Sequence, residues 1–221
     1  MNTTRAHRRP QYFRMLWSIL IAYALMIGFG GTHLGDPARV ILLVYLLWTS
    51  ARLHSNRRWR RWALGLGVLV FAATGWMVAV GSPRMTSGVI GASSVLLIGM
   101  SIAAIASTLL VRFQVDAATV LGVLCIYLLF ALFFASVHQI FASLQNHYLN
   151  GVQGRPTPPD LLYFSVSTLS TVGFGDITPA SQIARAVSVV EALTGQLYLV
   201  SVVAGVVAGW PMMQSGDKPD D

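Results

Sequence analysis

Thr171-Val172-Gly173-Phe174-Gly175-Asp176 is the stretch on which the fold turns. It lies between two long apolar segments and directly follows a short amphipathic one, Asp160–Ser170. Gly173 and Gly175 can take the left-handed backbone angles that a residue with a Cβ avoids. Alternated with ordinary residues, they let successive carbonyls point to one side of a strand. One chain then supplies a single rail of oxygens. Four chains around an axis stack those oxygens into rings that can replace the water shell of a monovalent cation.

The rest of the chain suits a membrane. Of 221 residues, 55% are hydrophobic and only 10% are charged, a composition outside the range of soluble domains. The net charge is +7, and fourteen of the fifteen basic residues are arginines. They cluster at the ends of apolar runs, so membrane topology accounts for them better than nucleic acid does. The lone cysteine, Cys125, excludes an intramolecular disulfide and a cysteine-based metal cluster. No cleavable signal is evident, and Met15–Thr32 reads as a retained span.

Six spans are expected in order. Met15–Thr32 is uncharged and long enough to cross the hydrocarbon. Asp36 and Pro37 are expected in a turn. Pro37–Leu53 spans if Arg39 and Arg52 snorkel outward, and the positive-inside rule favours this. The Arg-rich tail and the loop Arg57–Arg61 share one side only across an even number of spans. Trp62–Val80, Met85–Val111 and Ala117–Val137 follow, then a polar outer segment, His138–Arg155. Thr157, Pro158 and Asp160 mark a helix start. Ala186–Trp210 is the last span.

The predicted fold is therefore an all-α integral membrane protein. It has six transmembrane helices, with a re-entrant pore helix and filter between the fifth and sixth. Residues 1–14 form a cytoplasmic tail, 15–111 a four-helix membrane domain and 112–116 a linker. Residues 117–210 form a pore domain, with its pore helix at 158–170, filter at 171–176 and inner helix at 181–210. Residues 211–221 form a second cytoplasmic tail. Met85–Val111 holds no charge, whereas a voltage sensor needs basic residues at every third position.

From about Tyr163 to Gly205 the chain resembles the pore of tetrameric potassium channels, and the Thr-Val-Gly-Phe-Gly-Asp string is highly specific in that setting. The resemblance implies a homotetramer, since each chain brings one filter. It implies K+ coordinated by Thr171, Val172, Gly173 and Phe174, with Gly175 completing the filter and Asp176 at its outer mouth. The Phe174 ring is expected to pack back into the protein. Many bacterial members carry a pore-helix Glu that holds the filter Asp. Ser167 stands at that position here, which leaves Tyr163 or a water to hold Asp176. Gly195 is placed as a gating hinge or as a close-packing residue. Glu191 to Tyr198 resembles the inner helix of bacterial channels with one pore. Glu191, the one acid within the core of a span, is expected to reach Ser165, Ser167 or Thr168 behind the filter. The reading is a passive, voltage-independent potassium channel of the cell (inner) membrane with both termini cytoplasmic. It is not an enzyme. It uses no cofactor beyond permeant K+, and its partners are its own copies, lipids and an unknown regulatory protein, with no nucleic acid. The alternative is a membrane sensor or scaffold protein with a vestigial or non-selective cation pore.

Overall fold

The computed structural model describes residues 9–29, 35–53, 57–110 and 117–215. The expected linker 112–116 lies outside the described residues, as do most of the two tails. Helix α1 spans Arg9–Phe29, α2 Gly35–Leu53, α3 Arg57–Val80, α4 Pro83–Leu110 and α5 Ala117–Leu144. Strand β1 (Leu149–Asn150), helix α6 (Pro158–Leu169), strand β2 (Thr178–Pro179) and the long helix α7 (Gln182–Ser215) follow. The two strands form an antiparallel pair, Leu149 opposite Pro179 and Asn150 opposite Thr178.

Among the described residues the regular structure is helical apart from that pair. Three stretches of those residues are long and apolar enough to cross a membrane, Arg84–Leu109, Ala118–Leu144 and Gln182–Val202. Tyr12–Gly28, Arg39–Ala51 and Gly65–Met77 are shorter apolar helical stretches. Arginines bound them closely, at Arg14, Arg39, Arg52 and Arg61, and this shortens each apolar run.

Several boundaries differ from the sequence reading. Asp36 and Pro37 lie within the first turn of α2 rather than in a free turn, where proline's missing N–H costs nothing. Helix α1 starts at Arg9 and takes in part of the expected tail. Helix α5 continues to Leu144, so His138 belongs to a helix and not to a polar outer segment. Its apolar pattern persists through Ile140, Phe141, Ala142 and Leu144. Arg39 does not snorkel outward. It is only 4% exposed, donating to Ser94 Oγ at 2.9 Å on α4 and to Gln139 Oε1 at 2.8 Å on α5. Those neighbours supply two acceptors for Nη2 within the bundle, which holds the side chain inward.

The main core joins α1, α2, α4 and α5 around Met15, Ile19, Leu46, Leu97, Ile105 and Leu129. Cys125 is buried in it as a free thiol. Leu162 of α6 and Tyr198 of α7 reach the same core. A second cluster, with Tyr148, Leu149, Leu161, Phe164 and Ala184, lies under the loop that joins α5 to α6. A third joins Ala131 and Phe134 of α5 to Leu169. Helix α6 is thus fixed by packing along its length, which positions the string that follows it.

Candidate functional site: the filter string and the groups behind it

Helix α6 begins with a complete capping box. Thr157 Oγ accepts from the Asp160 amide, and Asp160 Oδ2 accepts from the Thr157 amide at 2.8 Å. Pro158 fills the first helical position. A cap of this kind stabilises a helix by about 1 kcal/mol. Leu161, Leu162, Phe164, Ser165, Ser167 and Leu169 are buried, so the twelve-residue helix is held by tertiary contacts rather than by its length.

The chain leaves α6 in an alternating conformation. Thr171, Gly173 and Gly175 have φ of +60°, +56° and +82°, and Val172 and Phe174 between them do not share it. A β-branched residue at positive φ is an outlier, costing about 1–3 kcal/mol. Thr171 is held there by hydrogen bonds. Its amide donates to Thr168 O at 3.0 Å, the Val172 amide to Ser167 O at 3.0 Å and the Gly173 amide to Ser167 O at 3.2 Å. The Phe174 amide donates to Ser167 Oγ at 3.3 Å.

Four successive amides therefore turn toward the end of α6. In a trans peptide the carbonyl of the preceding residue points the opposite way from each amide. The carbonyls of Thr171, Val172 and Gly173 consequently point away from α6. This rail of oxygens comes from backbone geometry alone, and one residue, Ser167, accepts three of the four amides.

Beside the rail, Tyr163 Oη donates to both Asp176 carboxylate oxygens, at 2.9 and 3.1 Å. The Phe174 ring stacks on Tyr163 with centroids 5.7 Å apart. The ring is 66% exposed in the single chain. One tyrosine ring is the surface it meets. Gly195 of α7 lies against Leu169, where an added Cβ would overlap the Leu169 carbonyl.

Glu191 is fully buried. Its Oε1 meets the Ser165 hydroxyl, whose oxygen also lies 2.8 Å from Ala131 O, so the single hydroxyl proton serves one of the two. Its Oε2 lies 3.0 Å from His138 Nε2. His138 Nδ1 lies 2.6 Å from Tyr148 Oη. Burial, and then the nearby Glu191, raise the Tyr148 hydroxyl above its ordinary range, so it keeps its proton. With a neutral ring, Tyr148 donates to Nδ1 and Nε2–H donates to Glu191. Of the three hydroxyls considered for Glu191, it meets Ser165, while Ser167 serves the filter string instead. His138 is the member that sequence reasoning missed. The available signal was a lone histidine in an apolar helix and a lone acid in another, since each needs a partner in such surroundings.

The sequence is similar to that of known proteins. Residues 120–209 match the family model described as "Ion channel". Over 52 residues the chain is 38% identical to a Rhodopseudomonas palustris protein whose name assigns it to the potassium channels, covering 24% of this chain and 12% of that one. Over 70 residues it is 36% identical to two pore potassium channel c of Oryza sativa subsp. japonica, covering 31% and 15%. The matched part is thus a small share of either relative. Residues 120–209 are similar to an ion-channel family, and the match covers less than half of the chain. The resemblance to potassium channels read from the filter string is borne out by both relatives. The family and both relatives are ion channels, which are not enzymes.

Proposed function

We propose that the chain is one subunit of a homotetrameric, potassium-selective channel that conducts K+ passively. The observation that carries this reading is the turning of the amides of residues 171–174 toward α6, which frees the Thr171, Val172 and Gly173 carbonyls for an ion. Four such rails around an axis, with Phe174 contributing the outermost carbonyl, give stacked oxygen rings of the kind that replaces a hydration shell. Asp176 at the mouth raises the local cation concentration. The C-terminal end of α6, where the helix dipole is negative, faces the ion path.

The face of α7 supports the assembly. Val189, Leu193, Leu197 and Val200 are each more than half exposed and recur at helical spacing. A contiguous apolar face of this kind marks an interaction surface, and further copies of the chain are the proposed occupants. The proposed topology has six spans, with α6 and the filter re-entering between the last two and both termini cytoplasmic in the cell (inner) membrane. Gly195 is the proposed bend of the inner helix, and K+ is the only small ligand. Lipids surround the assembly, and an unknown regulatory protein is a further proposed partner.

Potassium and sodium flux into liposomes holding only this protein tests the reading. Potassium flux well above sodium flux is expected. Comparable permeabilities would overturn selectivity. Assembled protein with no flux would favour the vestigial-pore scaffold.

A further inference from the structure

Four fully buried side chains from four separate segments form one continuous polar chain behind the filter string. Ser165 comes from α6, Glu191 from α7, His138 from α5 and Tyr148 from the loop after α5, and all are at most 1% exposed. His138 stands at the centre. Its Nε2 meets Glu191 Oε2 at 3.0 Å and its Nδ1 meets Tyr148 Oη at 2.6 Å. The ring plane is set from a third side by Phe164 of α6, edge-on with centroids 5.1 Å apart.

Each end of the chain reaches the filter string by a different route. At one end Glu191 meets Ser165, two residues before the Ser167 that accepts the amides of Val172, Gly173 and Phe174. At the other end the Tyr148 carbonyl accepts from the Ala180 amide at 3.0 Å, and its neighbours Leu149 and Asn150 pair with Pro179 and Thr178. That strand leads directly out of Asp176. The Gly151 Cα also abuts the Asp176 carbonyl so closely that no Cβ fits between them.

We propose that His138 is a positioning residue for the filter, joining the support behind α6 to the loop that braces the filter mouth so that both ends of the string are held as one unit. It does so without touching the rail of carbonyls. A histidine suits the place because its two ring nitrogens face opposite ways, one toward a carboxylate and one toward a phenol. The inference rests on the channel reading for its consequence in ion flux, and on the geometry alone for its structural content.

The test is hydrogen exchange by mass spectrometry on the full chain in detergent. For His138→Leu, the amides of residues 147–151 and 171–174 are expected to exchange faster together, by about tenfold or more, the equivalent of one charge-assisted hydrogen bond. His138→Gln, which keeps a donor and an acceptor at that reach, restores most of the protection. Unchanged exchange in both segments, or a change in one alone, overturns the proposal. Should His138→Leu fail to fold, the double variant His138→Leu/Glu191→Leu removes both members of the buried pair and leaves no orphaned charge. The same joint loss of protection is expected there, and wild-type exchange in that variant overturns the proposal. Flux of the wild type is measured separately. A wild type that does not conduct refutes the channel reading while the exchange result still decides the role of His138. Where it conducts, potassium-over-sodium selectivity is expected to fall in His138→Leu and return in His138→Gln.

Discussion

A methyl group at Gly195 would overlap the carbonyl of Leu169 and stand 2.9 Å from its Cδ1. Leu169 ends α6, so this glycine sets how closely α7 approaches the start of the filter string. Gly195→Ala is expected to push the two apart. Overpacking of this kind costs about 1–3 kcal/mol, and the better helix propensity of alanine returns about 1 kcal/mol. The variant should keep its helicity, unfold at a slightly lower temperature and lose potassium flux. Circular dichroism melting and liposome flux check both parts. Unaltered flux would show that contact with Leu169 does not set the filter.

Gly173 has φ of +56°, and nothing stands within 4 Å of the position where a Cβ would project. The obstacle to a side chain is therefore conformational and not steric crowding. Left-handed geometry costs a non-glycine residue about 1–2 kcal/mol. Gly173→Ala should assemble normally, by size-exclusion chromatography, yet conduct no potassium. Wild-type conduction would mean that the carbonyl rail does not depend on this backbone angle.

Two parts of the site differ in how far the sequence revealed them. The string 171–176 could be read because its information is local: alternating glycines dictate backbone angles, and a capped helix precedes them. The Tyr163–Asp176 contact is similarly close in sequence. His138 and Arg39 could not be placed that way. Their partners lie 53 residues away for His138–Glu191 and 100 for Arg39–Gln139. A polar residue at the end of an apolar run reads as an interface until the acceptor on another helix is known. The end of α5 is misjudged from the sequence at the same residue: the helix continues past His138, whose ring Glu191 and Tyr148 satisfy inside the bundle.

Ser167 accepts three filter amides, two on its carbonyl and one, from Phe174, on its hydroxyl. Ser167→Ala removes only the last. The loss should cost about 0.5–1.5 kcal/mol and loosen the string at Phe174. Potassium over sodium selectivity is expected to drop while assembly persists. Bilayer recordings of reversal potential measure it, and an unchanged ratio would place the control of selectivity elsewhere.

Tyr163→Phe removes the donor to both Asp176 oxygens while keeping the ring that stacks on Phe174. The pair is exposed at the mouth, so stability should barely change. The freed carboxylate should alter single-channel conductance at low potassium, where the mouth charge matters most, and less at high salt, where it is screened. Equal conductance of variant and wild type across that range would remove Asp176 positioning from the account.

Weak voltage dependence is the remaining expectation. Moving one charge across the membrane contributes about 2.3 kcal/mol per 100 mV, and sensors move three or four per subunit. Helix α4 carries one basic residue, Arg84, at its start. That guanidinium is fastened to the end of α5, donating from Nε to Ser143 O at 2.6 Å and from Nη2 to Leu144 O at 3.0 Å. Arg39, buried among α2, α4 and α5, is tied to Ser94 and Gln139. Neither is free to translate without breaking these bonds, and no helix among the described residues carries arginine at three successive third positions. A conductance–voltage curve should therefore report fewer than about one gating charge per subunit. A slope that requires three or more would contradict this, since Arg84 and Arg39 together carry only two charges and other arginines would have to move as well.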